Sequence, residues 1–468
     1  MKLNLYRRVL AVCLVLTMLA LTGCSLGGGK PDTQNVDDGI VSGIRTGILR
    51  QGLSGQYECT DERVYFLNNI TGVTLLYSGA YDSDELRPLC GVKGCKHDGP
   101  GCEAYFGGSG CVCCYDGKLY VNAGTALYRL NPDGTQREKI LDVTTAVEGD
   151  YDGIAEAKLW NGVFTFYLTK FESNLAPEAE ITVYNLELTG YDPYYYRLDG
   201  SMKQPKPMEN LVAQYNAGET FLMRGGAEAY MTGRAEEQEN GRYTLYTWNP
   251  KNNQTKELVD ATAIIEPYYT PTVKTQGDPW PNNWNRYSAR RYDAFSEGYW
   301  GDTCALYLER ERDNMSRVVN NVLCRFNYAD GTTETLLDTG LEGAYRLECY
   351  PDFFVLIQTV VWPAGQIGQF APGPVLYFYN WDFERIGECD LSQIYKSEDD
   401  YLRIFPGEVI CGESAGRIYL ATRVTGMPEY YIDKSDFGTG KIKLHELRYA
   451  GIDLDKSAEA ILVTEPMP

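Results

Sequence analysis

Cys90, Cys95, His97 and Cys102 follow one another as Cys-x4-Cys-x-His-x4-Cys. Three thiolates and an imidazole are, by type, the donor set of a tetrahedral zinc site. The spacing departs from that of the familiar fingers, since the four contain no Cys-x2-Cys. Cys111, Cys113 and Cys114 come close behind, so six of the 14 cysteines fall between positions 90 and 114. In an exported chain, cysteines are usually disulfides, and a long loop with little core of its own gains from such a staple. Cys90, Cys95, His97 and Cys102 therefore carry a disulfide reading first, a zinc reading second and a free-thiol reading third. Cys59, Cys111, Cys113 and Cys114 are candidates for additional disulfides. Cys111-Val112-Cys113-Cys114 has Cys-x-x-Cys spacing, but it precedes a strand and not a βαβ unit, so it is not read as a redox motif. Cys304, Cys324, Cys349, Cys389 and Cys411 lie in strand patterns and read as buried small hydrophobes or isolated bridges. Apart from zinc, no cofactor is expected.

A second constellation is Asp278-Pro279-Trp280-Pro281-Asn282-Asn283-Trp284-Asn285-Arg286-Tyr287. Trp280, Trp284, Arg286 and Tyr287 are candidate ligand-binding residues, because apolar aromatic faces flanked by amides suit a sugar ring or a peptide. The competing reading is that the tryptophans pin a long loop to its neighbours. A third stretch, Gly412-Glu413-Ser414-Ala415-Gly416, matches Gly-x-Ser-x-Gly in form. A nucleophile elbow needs a strand before it and a helix after it, whereas Arg417 to Leu420 reads as another strand, so a hairpin turn is the better reading. The chain has two histidines, His97 and His445, and 64 Asp and Glu residues. With so many carboxylates, chance acidic pairs carry no catalytic signal. No catalytic residue is assigned.

The elements that must position these residues repeat along the chain. Asp116-Gly117-Lys118-Leu119-Tyr120-Val121 is a turn and a strand, Leu127 to Gly134 is a second strand ending on a turn, and Glu138 to Leu141 is a third strand. Asp-Gly and Asn-Gly tolerate the positive φ of hairpin turns, and Tyr, Phe, Val and Leu suit a pleated surface. The same signature recurs at Asp61–Phe66 with Leu75–Tyr77, at Asn161–Phe166 with Tyr195–Gly200, and at Ala227–Met231 with Tyr243–Pro250. It returns at Cys304–Leu308 with Val322–Gly331, at Asp352–Leu356 with Val375–Asn380, and at Gly416–Leu420 with Tyr430–Asp433. Units with two apolar faces must stack to bury them. The fold class predicted is all-β, a single β-propeller of seven four-stranded blades with loop insertions; a β-sandwich followed by a second β-domain is the runner-up. The predicted insertions are Asp82–Cys114, Glu266–Gly298 and Val361–Pro374. Ring closure is expected to be mixed, with Ile40–Tyr57 or Ile452–Val463 lending a strand to the first or last blade.

Residues 1–23 read as a lipoprotein signal peptide. Lys2, Arg7 and Arg8 form a positive start, Val9 to Leu21 an apolar stretch too short to span a bilayer comfortably, and Leu21-Thr22-Gly23-Cys24 looks like a bacterial lipobox. Cys24 is the lipidation site, residues 24–39 are the lipidated cysteine and a flexible tether, and 40–468 are the propeller. Losing the three positive charges of residues 1–23 takes the formal net charge from −21 to −24. That surface repels nucleic acid and anionic lipid, so nucleic acid is excluded as a partner.

The combination of lipobox, blade repeats and the Cys90, Cys95, His97, Cys102 insertion after the first blade resembles a group of uncharacterised β-propeller lipoproteins of Gram-positive anaerobic bacteria. The resemblance covers most of the chain. It implies fold and location, the outer face of the bacterial cytoplasmic membrane with the lipid as anchor, and it implies no activity. The expected function is a binding or scaffold module for a protein or glycan ligand. The alternative is a cell-surface carbohydrate-active enzyme, a hydrolase or lyase, with its site in a central channel.

Overall fold

In this computed structural model the described residues lie between 57 and 450, apart from 174–185, 209–229, 235–243, 261–298, 313–317, 360–374, 392–409, 421–428 and shorter stretches of one to four residues. They are strands almost throughout, grouped in seven consecutive antiparallel units. The first unit is β1 (Tyr57–Cys59), β2 (Arg63–Asn69), β3 (Thr74–Ala80) and β4 (Glu85–Pro88). The second is β5 (Gly110–Tyr115), β6 (Lys118–Ala123), β7 (Ala126–Leu130) and β8 (Glu138–Asp142). The third is β9 (Gly153–Trp160), β10 (Val163–Ser173), β11 (Leu186–Arg197) and β12 (Lys206–Pro207). The fourth shows β13 (Tyr230–Arg234), β14 (Thr244–Asn249) and β15 (Gln254–Asp260). The fifth is β16 (Tyr299–Trp300), β17 (Cys304–Arg312), β18 (Val318–Asn327) and β19 (Thr333–Asp338). The sixth is β20 (Ala344–Cys349), β21 (Phe353–Thr359), β22 (Val375–Asn380) and β23 (Arg385–Asp390). The seventh is β24 (Ile410–Ser414), β25 (Arg417–Leu420), β26 (Glu429–Asp433) and β27 (Leu444–Tyr449).

The first, second and seventh units are apolar on both faces, because alternate residues of a strand point to opposite sides. In the first unit Val64, Phe66, Leu75 and Tyr77 pack with Tyr419, Tyr431, Leu447 and Tyr449 of the seventh. Their neighbours Tyr65, Leu67 and Leu76 pack with Val112, Leu119, Val121 and Leu130 of the second. The seventh unit alternates in the same way, turning Ile418, Leu420 and Ile432 to Val355, Ile357 and Phe378 of the sixth. The second unit meets the third through Cys111, Cys113 and Tyr120 against Phe164, Phe166 and Leu168. Stacking of successive sheets face to face, with the last returning to the first, is the architecture of a β-propeller.

Among the described residues the first and last units meet without an exchanged strand; the stretches on which mixed closure was expected to rest, Ile40–Tyr57 and Ile452–Val463, lie outside the described residues except for Tyr57. The described strands of the first unit come from 57–88 and those of the last from 410–449; β27 lies parallel to β4 and pairs Arg448 with Glu85 and Tyr449 with Leu86, which joins the two units in one eight-stranded sheet. The backbone N–H of Arg448 donates to Asp84 O (2.9 Å) and that of Ala450 to Leu86 O (2.8 Å).

The strand order has a consequence for the connections. Within each antiparallel unit, the link from second to third strand and the exit to the next unit fall at one end; the other two turns fall at the opposite end. The parallel pairing of β4 with β27 gives the first and last units the same sense. The connections 89–109, 174–185, 360–374, 391–409 and 421–428 are all second-to-third links or exits of this kind. Among the described residues the other two links of these units are turns. Several are tight. Asp116 and Gly117 take φ of 48° and 66°, the paired left-handed conformation of a two-residue hairpin. Asp133 Oδ1 accepts from the N–H (2.9 Å) and hydroxyl (2.7 Å) of Thr135, and Asp330 repeats this with Thr332 (3.0 and 2.7 Å). Gly412-Glu413-Ser414 ends β24, and Ser414 pairs with Arg417 of β25. The form Gly-x-Ser-x-Gly is a hairpin here, and no helix follows it.

Candidate metal centre

The connection 89–109 is fixed at both ends to one residue of β3. Leu76 O accepts from Leu89 N (2.8 Å), and Leu76 N donates to Ala104 O (2.8 Å). Phe106 N then donates to Thr74 O (3.1 Å). Holding Leu89 and Ala104 on the same residue brings Cys90 and Cys102, one and two positions inside the loop, to the same place. Between them the chain folds through short turns that end on the cysteines: Cys95 N donates to Val92 O (3.2 Å) and Cys102 N to Gly99 O (3.0 Å). Gly94 (φ 76°) and His97 (φ 55°) make the reversals. A left-handed conformation is a cost for histidine, and it turns the His97 ring so that Nδ1 lies 3.2 Å from Cys102 Sγ.

One ligand atom from each of Cys90, Cys95, His97 and Cys102 lies within 4.8 Å of every other. Around a tetrahedral zinc with Zn–S of about 2.3 Å, neighbouring sulfurs stand about 3.8 Å apart, so the set closes on an ion through shifts of roughly 1 Å or less. The chemistry of the donors fits as well. Burial pushes the Cys90 thiol up, but hydrogen bonds from the Val92 and Glu103 amides, with those of the Cys102 and Cys95 thiols, bring it below its ordinary value. Burial pushes Cys102 up to about 12, against the Ala104 amide. Amides aimed at sulfur stabilise a thiolate, the form that binds metal, and a metal arriving here displaces the remaining protons.

Support comes from outside the four. Glu103 Oε2 accepts from Gly91 N (3.0 Å), tying the two arms of the loop. The Arg137 guanidinium, at the start of β8 in the next unit, donates to Glu103 O (3.1 Å) and Tyr105 O and lies over the rings of Phe106 (4.3 Å) and Tyr128 (4.6 Å). Residues that hold ligands in place are worth about 10–100-fold in metal affinity. Arg137→Ala is accordingly expected to weaken zinc binding at least tenfold in a chelator competition, while Arg137→Lys, which keeps the charge but loses the planar fork, recovers only part of it. Equal affinity for all three proteins would remove Arg137 from the site.

The sequence reading put disulfides first. Cys90, Cys95, Cys102, Cys111, Cys113, Cys114 and Cys389 are unbridged thiols in the structure. The structure gathers the four donors about one point, an arrangement compatible with a metal ion. It also shortens the insertion expected over Asp82–Cys114: Glu85–Pro88 is β4, and Cys111, Cys113 and Cys114 belong to β5. Cys111 and Cys113 face the third unit, and Cys114 points to the other side of the sheet. Burial pushes Cys111 up to about 12 and raises Cys113 as well, which makes both poor nucleophiles. Cys59 packs against the same apolar cluster of the first and seventh units as Cys90 and Cys95 do. His445 stacks on Tyr431 (4.8 Å) and is a packing residue. Cys24, Trp280, Trp284, Arg286 and Tyr287 lie outside the described residues. Arg137 and Glu103 escaped the sequence reading because a lone Arg and a lone Glu carry no motif.

No family model matches the chain, and no curated protein does. Among solved structures, the puromycin hydrolase S511A mutant complexed with PGG is 12% identical, covering 90% of this chain and 56% of its own, at a TM-score of 0.42. TolB from Acinetobacter baumannii is 14% identical over 72% of this chain and 64% of its own, at 0.29. The β-propeller domain of the Trilobed protease from Pyrococcus furiosus is 11% identical over 65% and 71%, at 0.27. This chain thus spans little more than half the length of the hydrolase, and the activities in these names belong to those proteins.

Proposed function

We propose that the chain is a lipid-anchored β-propeller of seven blades, held through Cys24 at the outer face of the bacterial cytoplasmic membrane, where it acts as a binding or scaffold module for a protein or glycan. Zinc held by Cys90, Cys95, His97 and Cys102 serves as a structural ion in the first long connection. A closed set of four protein ligands is the structural kind of zinc site; a catalytic one keeps a position open.

The observation that carries the binding reading is that the long connections 89–109, 174–185, 360–374, 391–409 and 421–428 are all second-to-third links or exits, which fall at one end of a unit. Binding residues sit disproportionately on loops displayed by a rigid scaffold. The stretch that holds Trp280, Trp284, Arg286 and Tyr287 is a further long connection, from β15 to β16. The acidic balance favours cationic or uncharged partners over nucleic acid.

Two readouts test this together. The soluble domain is passed over a polysaccharide array, beside a Trp280→Ala/Trp284→Ala double variant of unchanged circular dichroism. Intact cells carrying the anchored protein are cross-linked and pulled down. Retention of the parent and loss by the variant supports a glycan ligand, and recovery of one defined envelope protein supports a scaffold. Failure of both sinks the proposal.

A further inference from the structure

The metal cluster lies against the line where the ring closes. Cys102 and Ala104, with the half-buried Cys90, Cys95 and Tyr105, pack into the one cluster shared by the first and seventh units, beside Leu86, Tyr419, Tyr431, Leu447 and Tyr449. Tyr77 bridges the two. It shares that cluster with Cys102, and its ring stands edge-on to Tyr449 at 4.7 Å. Its hydroxyl is buried and has no hydrogen-bond partner among the described residues.

From Tyr449 the contacts run on across the closure. Its hydroxyl is 3.0 Å from Oε1 of Glu429, a carboxylate only 1% exposed, to which Asn68 of the first unit donates at 2.9 Å. At the outer edge, Arg417 donates to Ser83 O (3.1 Å) and Tyr431 OH to Asp84 Oδ1 (2.8 Å). These last two reach the short segment from 83 to 88, which ends two residues before Cys90. The closure itself is brief, with two register pairs between β4 and β27. Nothing covalent and no exchanged strand reinforces it among the described residues.

We propose that the metal at Cys90, Cys95, His97 and Cys102 is the clasp of the propeller's closure, so that its occupancy sets how readily the first and seventh units part. The inference rests on the zinc reading above. The clasp acts by fixing β4: the seam holds one end of that strand and the ion holds the other. With both ends held, β27 keeps its partner. With the ion gone, the loop loses the constraint that gathers its turns, Cys102 and Ala104 are freed from the shared cluster, and β4 can leave β27 by a local opening. Metals that bind the closed form alone stabilise it by mass action.

Hydrogen exchange on the whole protein, zinc-loaded and after chelation, tests this, with zinc counted in both samples. The expected result is at least a tenfold faster exchange of the Arg448 and Ala450 amides and of β4 after chelation. Amides of β21 and β22, in the sixth unit, are expected to keep their rates. A zinc-containing protein whose seam exchanges no faster after chelation overturns the clasp and leaves the zinc reading standing. An equal rise in every unit also overturns it, since the ion would then support the fold as a whole. A protein that binds no zinc overturns both.

Discussion

Elemental analysis of the purified protein should return one zinc per chain, and His97→Asn should abolish that zinc while leaving the propeller folded. Asparagine is the informative replacement. His97 sits at φ 55°, a conformation that asparagine tolerates and alanine does not, so His97→Asn removes the ligand without adding backbone strain of about 1–2 kcal/mol. The expected loss of affinity exceeds the roughly 10–100-fold that changes outside the ligand set produce. Cys102→Ser should also lose the metal, and at a greater cost in stability. That sulfur is 2% exposed in the cluster shared by the first and last units, and a hydroxyl placed there costs about 1–3 kcal/mol if it finds no partner. Structural zinc in small domains contributes about 10–16 kcal/mol of apparent binding energy near neutral pH. In this chain that energy organises one connection, so the readout is thermal unfolding of both variants together with thiol counting. No zinc, with the six sulfurs from Cys90 to Cys114 oxidised, would overturn the site in favour of disulfides.

The second large effect lies at the third and fourth units. Trp248 is fully buried. Its ring stands edge-on to Tyr195 of the third unit at 4.9 Å, and its indole N–H donates to Asn253 Oδ1 at 2.9 Å. Asn253 in turn donates to Pro207 O of the third unit at 3.0 Å. Trp248→Ala removes the ring and leaves a cavity, and is expected to cost about 3–5 kcal/mol. Trp248→Phe keeps an aromatic ring but loses the donor, and should cost about 1–3 kcal/mol. Chemical denaturation of the zinc-loaded protein measures both. A Trp248→Ala cost below about 1 kcal/mol would mean that the ring is not the buried joint between these units.

The middle of each unit was legible and its margins were not. Outside the fourth unit, each pair of stretches found in the sequence corresponds to the second and third strands of a unit, as Asp352–Leu356 and Val375–Asn380 do with β21 and β22. These strands are buried on both faces, so their composition is dense in aromatic and branched residues, and a turn glycine announces them. The outer strands are thin in signal. In β4 only Leu86 is fully buried, and β12 is the dipeptide Lys206-Pro207. The first strand of the second unit was hidden differently: in Gly110–Tyr115 the cysteines drew the reading toward a reactive loop, although Cys111 and Cys113 serve there as small apolar residues in a packed sheet.

The same limit governs the metal centre. The four donor types were plain, but the choice between sulfur pairs and a single cluster depends on Leu76, whose two backbone groups hold Leu89 and Ala104. A bond between residues so far apart in the chain has no local trace. Closure is a matter of the same sort, because the pairing of β27 with β4 joins residues more than 350 positions apart.

A ring that closes by apposition also bears on how such a chain can be copied. Among the described residues, each antiparallel unit is encoded by one uninterrupted stretch, and the first and last units join in one sheet only through the pairing of β4 with β27. Unit boundaries and coding boundaries coincide among these residues. A recombination breakpoint between β8 and β9 separates two whole sheets, where a ring with an exchanged strand would lose a piece of its joint whenever either terminus was recombined. The first unit is set apart by the cysteines and histidine of the connection that follows it.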